Sequence, residues 1–176
     1  NCLGTTMRTY RLALACTGEY AVAVCSPSAP TIPLTAAAML TSMNRVNGVY
    51  EAEVSLRMIL VSNNNNLIYL DGASDPYSNG SGSAMLGENQ VNIDGVIGTA
   101  NYDIGHVFST GGGGVAVLRP PCNAGSKEQG VTGRGFPIGD PFDIDYVAHE
   151  MGHQWGGNHS MAGCGSSPNS TKYEVG

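Results

Sequence analysis

Three of the four histidines in this 176-residue chain fall in one short stretch, His149-Glu150-Met151-Gly152-His153-Gln154-Trp155-Gly156-Gly157-Asn158-His159. The pattern is H-E-x-x-H-x-x-G-x-x-H, and each fixed position suits a separate task. Residues four apart on a helix lie one turn above each other, so His149 and His153 can aim their imidazoles at one point. Glu150 is rotated by about 100° from His149, which clears a metal yet reaches a water beside it. A third ligand requires the chain to turn back. Gly156 suits that turn, because glycine takes the left-handed conformation that ends helices without steric cost. His159 then completes a three-histidine set. Three protein ligands and one open position describe catalytic zinc, whereas structural zinc is closed by four. The chemistry expected is hydrolysis at one Zn2+ ion, with Glu150 as general base for the water that the metal acidifies.

A helix must carry the motif. Gly139-Asp140-Pro141-Phe142-Asp143 is turn chemistry, and Asp143 is a natural N-cap for a helix from about Ile144 to Trp155. Asp145 suits the positive end of that helix. Ile144, Val147, Ala148 and Met151 recur at helical spacing and should face the core. Asp140, Asp143 and Asp145 read as capping and solvated groups. Calcium could bind such a cluster or the run Asn63 to Asn66, but no regular loop of alternating oxygen ligands is visible.

Strands and helices alternate through the rest of the chain. Arg8 to Ala15 reads as a first strand. Pro33 to Tyr50 reads as a helix with Ala36, Met39, Leu40, Met43 and Val46 on one face. Val54 to Val61 is a second strand. The asparagine run is a loop before a short strand at Leu67 to Leu70, and Asp71 to Gly82 is rich in turn residues. Asn89 to Thr99 reads as a weaker helix. Val107 to Ser109 and Val115 to Leu118 flank Gly111 to Gly114 as strands, and Arg119 to Gly139 reads as one long loop. The order implies an α/β (α+β) fold, a mixed and mostly parallel twisted sheet backed by helices, with the motif helix at its lower edge. His106, in an apolar stretch, reads as structural, and Trp155 as a packing anchor.

Composition points to one exported domain spanning residues 1–176, expected to be a monomer. Charged residues are only 12% and the net charge is −6, so there is no basic patch for nucleic acid. No stretch approaches the roughly 20 apolar residues of a membrane span. The start, Asn1-Cys2-Leu3-Gly4, lacks the basic head and apolar run of a signal peptide, which suggests a mature chain. Five cysteines are many for a cytosolic enzyme. Cys16 could bridge to Cys25, and Cys122 to Cys164. The odd count leaves one over, and Cys2 could serve as an inhibitory thiolate on the zinc. Asn79, Asn158 and Asn169 begin glycosylation sequons, yet a glycan on Asn158 would crowd the motif, which favours a bacterial source.

The zinc motif resembles that of the metzincins, a clan of zinc endopeptidases. The block Tyr102-Asp103-Ile104-Gly105-His106-Val107-Phe108-Ser109-Thr110, followed by Gly111-Gly112-Gly113-Gly114-Val115-Ala116-Val117-Leu118, resembles the approach to the edge strand in adamalysin/reprolysin-type proteases. Their secreted bacterial relatives are the best fit, also for Tyr146-Val147-Ala148 before the motif. The resemblance runs from about Arg8 onward, and the zinc motif is its specific part. It implies that polypeptide substrates lie extended along the edge at Gly114, Val115 and Ala116, and that a pro-segment could act as inhibitor. Ser160 departs from the Asp usual in animal reprolysins and leaves a matrixin-like protease open. Metzincins also carry a methionine turn beneath the metal. Met161 is too close to His159 for it and no later methionine precedes Gly176, so the C-terminal subdomain is expected to be truncated. A zinc-holding binding module without catalysis is the alternative from another class, against which Glu150 argues.

Overall fold

The computed structural model describes residues 6–159. Its centre is a five-stranded sheet in the order β2-β1-β3-β5-β4. The strands are β1 (Arg8–Cys16), β2 (Leu56–Leu60), β3 (Ile104–Ser109), β4 (Gly114–Ala116) and β5 (Gly130–Gly133). β2, β1, β3 and β5 run parallel, and β4 pairs antiparallel with β5 at the edge. A mixed, mostly parallel sheet is therefore what forms. Both of its faces are covered, as parallel strands require.

β1 shows how the pleat divides the core. Leu12, Leu14 and Cys16 enter one apolar cluster, and Ala13 and Ala15 enter the other. The first cluster is completed by α1 (Gly18–Cys25), by α2 (Ile32–Val54) and by the motif helix, through Tyr20, Met39, Met43, Val46, Val147 and Met151. The second lies under α3 (Gly82–Val96), whose Met85 and Ile93 are fully buried. α1, α2 and α3 each begin on a side-chain cap. Thr17 accepts from the Tyr20 amide, Thr31 from Leu34 and Ser81 from Ala84, satisfying amides that a helix start leaves without partners.

Several sequence expectations need correction. Cys16 and Cys25 are buried free thiols, because residues 18–25 coil into α1 instead of looping back. Eight helical residues span about 12 Å, whereas a disulfide needs Cα atoms within about 7 Å. The Cys25 sulfur lies 3.5 Å from the Thr35 hydroxyl instead, and burial pushes the Cys16 thiol up to about 12. The proposed partner of Cys122, Cys164, lies outside the described residues, as do Cys2, Asn169 and Met161.

The strand expected at Leu67 to Leu70 is a 3-10 turn (Asn64–Leu67) with a single bridge from Ile68 to Cys16. Asn64 is buried there, and its carboxamide exchanges two hydrogen bonds with the Leu14 main chain, at 2.8 and 2.9 Å. It acts as a substitute strand partner, not as an open ion ligand. α3 begins seven residues before the expected Asn89, since Gly82 and Gly87 hide its first turns from propensity. β5 lies inside what reads as a long loop. Its glycines look like turn signals, yet they serve close packing: a Cβ on Gly130 would sit 2.4 Å from the Gln154 carboxamide and 2.5 Å from His106 Nδ1.

Candidate metal centre and active site

The motif helix begins earlier than its sequence suggests. A short α4 (Asp140–Phe142) leads into a π-helical segment (Asp143–Ala148) and then into α5 (His149–Gln154). Asp143 is thus inside the helix and not its N-cap. Its carboxylate is buried and accepts a 2.6 Å hydrogen bond from the Ser42 hydroxyl of α2, while burial raises its pKa. Asp140 pairs with Arg45 at 2.6 Å. The Tyr50 hydroxyl donates to the Ala148 carbonyl at 2.5 Å, one residue before the first histidine. Three residues of α2 therefore hold the wide segment that delivers the motif. π-Helical turns inside helices recur at functional sites, and nothing in the local sequence distinguishes this one. Of the expected core face, Val147 and Met151 are fully buried and Ala148 packs against their cluster, whereas Ile144 is half-buried and belongs to neither core cluster.

The histidines converge as the spacing requires. Gly156 has φ +94° and reverses the chain. The amides of Gly156 and Gly157 return to the carbonyls of His153 and Gly152, both at 2.8 Å, the closure typical of a glycine-ended helix. His153 Nε2 then lies 3.0 Å from His149 Nε2 and 3.0 Å from His159 Nε2, and all three ligand atoms fall within 4.8 Å of one another. The His153 Nδ1 is 2.8 Å from the Gly157 carbonyl. A carbonyl only accepts, so Nδ1 carries the proton and Nε2 presents a lone pair to the shared point. That is the tautomer a metal needs, held by a backbone partner behind the ring. Imidazole nitrogens about 2.0 Å from a tetrahedral zinc would be about 3.3 Å apart, so the donor set fits this ion. Of the groups considered for calcium, Asp140 pairs with Arg45, Asp143 with Ser42 and Asn64 with the Leu14 main chain.

Glu150 is 7% exposed and faces β4. An ideal Cβ built on Gly114 would lie 2.2 Å from its Oε1, so the edge strand passes directly over the carboxylate. Gly113 O accepts from Gly133 N at 3.0 Å, and Val117 N donates to Gln129 O at 2.9 Å. With Val115 opposite Val131, the odd-numbered residues turn their main-chain groups inward to β5, and Gly114 and Ala116 turn theirs outward. Of the three expected substrate-edge residues, Gly114 and Ala116 thus turn their main-chain groups away from β5, with no strand paired to them among the described residues. Val115 is committed to β5, and its side chain packs on the second core cluster.

Several supporting residues escaped the sequence reading. The Arg119 amide, on a residue with φ +61°, bonds the His153 carbonyl at 3.3 Å. Gln154 is fully buried, donating to Gly105 O at 2.8 Å and accepting from His106 Nδ1 at 2.8 Å. His106 Nε2 meets Thr132 Oγ1 at 2.8 Å. His106 is thus structural, as expected, but its task is specific: it ties α5 to β3 and β5. Trp155 packs against Tyr10 with ring centroids 4.5 Å apart and planes tilted by 55°, also as a packing residue. Asn79 was a sequon, yet its side chain donates to Thr110 Oγ1 and accepts from Thr17 Oγ1 and the Thr110 amide, anchoring the tetraglycine loop. The spacing of the motif reveals the histidines, whereas these partners depend on which strands become neighbours.

The described residues contain no helix long and apolar enough to cross a membrane. No curated protein gives a significant match to the chain. The family model of the reprolysin-like metallopeptidases of family M12B matches residues 36–160, over two thirds of the chain, from within α2 through the third histidine. With three convergent imidazoles at the end of that match, this chain belongs to the M12B reprolysin-like family and carries its zinc-dependent metallopeptidase domain.

Proposed function

We propose that this protein is an exported endopeptidase in which His149, His153 and His159 hold zinc and Glu150 is the general base. The observation that carries the reading is the contact of the Glu150 carboxylate with Gly114 on the edge strand of the sheet. It sets Glu150, next to His149 in the helix, against a strand edge that has no strand partner among the described residues, which supports a peptide-binding edge beside a base. When bound, zinc supplies Lewis acidity, polarising a peptide carbonyl and making a water acidic enough to lose a proton near neutral pH. An extended peptide aligned with β4 pairs with the outward main-chain groups of Gly114 and Ala116. This pairing reads backbone, so it accepts many sequences and holds the chain by its interior. Glu150 Oε1 or Oε2 takes the proton of the attacking water and returns it to the leaving amine. Its low exposure limits competing solvent at the carboxylate.

Export is supported by the sparse charge of 12%, although Cys16 and Cys25 are thiols and lend it no disulfide. The test is Glu150→Ala, with casein as substrate and metal content measured in parallel. The variant should lose at least about 100-fold in hydrolysis and keep close to one zinc per chain, and a chelator should stop the parent protein. Normal turnover by the variant would refute the assignment.

A further inference from the structure

We propose that Gly114 is a positioning residue for Glu150, and that its missing side chain is the space in which the base is held. The inference rests on the reading of Glu150 as base and adds a residue to it. The four glycines from Gly111 to Gly114 differ in what requires them. Gly112 and Gly113 have φ +82° and +68°. Gly111 has no such φ, and a Cβ there would lie 2.7 Å from the Asn79 carbonyl. Gly114 is also outside the positive-φ set and is ordinary strand, paired opposite Thr132.

Backbone conformation therefore does not ask for glycine at position 114. Contact does. A Cβ there would meet Glu150 Oε1 at 2.2 Å, Cδ at 2.6 Å and Cγ at 2.8 Å. Among the described residues, the three nearest atoms all belong to the Glu150 side chain. The strand main chain is thus the wall against which the carboxylate rests. The same residue turns its N–H and C=O outward. A peptide aligned on Gly114 is placed in register with the carboxylate by a single residue that touches both.

Adding one methyl group at Gly114 must push the carboxylate away by more than about 1 Å to restore ordinary contact distance, since non-bonded carbons prefer about 3.5–4.0 Å. A misplacement of that size costs on the order of 100-fold in rate. The outward main-chain groups and the histidines stay where they are. Gly114→Ala should therefore lower kcat on a casein-derived peptide about 100-fold, change KM less than about threefold, and leave zinc content at the parent level.

A second readout does not depend on catalysis. Overpacking costs roughly 3–10 °C in melting temperature for a domain of this size, so Gly114→Ala should melt lower by that amount in chelator-treated protein. In an Glu150→Ala background the new methyl group enters vacated space, and the same substitution should change melting by less than about 1 °C. A parent-level kcat for Gly114→Ala would overturn the proposal, as would an equal melting loss in both backgrounds. If the parent protein hydrolyses no peptide, the endopeptidase reading fails, while the melting cycle still upholds or overturns the contact.

Discussion

His106 offers a quantitative test of how α5 is held to the sheet. The ring is fully buried, between the Gln154 carboxamide and the Thr132 hydroxyl. Because Gln154 Nε2 donates to Gly105 O, its Oε1 faces the ring, and His106 Nδ1 must carry the proton. Nε2 is then left to accept from Thr132. Burial lowers the pKa from 6.5 to about 4, with the Gln154 bond acting weakly in the other direction. Unfolded His106 titrates near 6.5, so between that pH and about 4 the unfolded chain binds more protons than the folded one. Stability is therefore complete above pH 6.5 and falls as the pH drops towards 4, by about 3 kcal/mol in total from this residue.

The perturbation is His106→Asn, which removes the titration. The assay is urea unfolding of chelator-treated protein from pH 7.5 to pH 4. Glu128, Asp143 and Asp75, whose pKa values are raised by burial, contribute equally to parent and variant. The variant should be the less stable protein at pH 7.5, and the gap should narrow by about 3 kcal/mol at pH 4. A gap constant to within about 0.5 kcal/mol would refute the argument that a neutral His106 joins helix to sheet.

Two further outcomes are expected. His159→Ala should reduce zinc affinity at least about 10-fold together with activity, since two histidines remain of three donors, and unchanged metal content by atomic absorption would contradict the convergence seen here. Gly156→Ala should destabilise the zinc-loaded protein by about 1–3 kcal/mol, because φ +94° is strained for alanine and its Cβ would lie 2.8 Å from Arg119 Cγ. Melting at the parent temperature would show that the turn relaxes without Gly156.

The metal site was legible in the sequence because its geometry is local. Helical spacing places His149 above His153, and a glycine at position 156 permits the return to His159; neither depends on the rest of the fold. The alternating apolar positions of β1 and the apolar stripe of α2 were legible for the same reason, since strand and helix periods are properties of neighbouring residues. The residues that support the site were not. β5 is four residues with glycine at each end, and only packing against Gln154 and His106 at Gly130, and against Gly111 and Ser109 at Gly133, shows why the glycines are there. The cysteines at 16 and 25 looked like a loop closure until the chain between them coiled into a capped helix. Asp143 has the right type for an N-cap, but Ser42, 101 residues away in sequence, takes its carboxylate into the core. Gly114 and Glu150 are 36 positions apart, and their contact exists because β4 returns antiparallel to the edge beside the motif helix. Local spacing could determine the metal chemistry. Which strand lies over Glu150 is a long-range choice, made by burying both faces of one sheet at once.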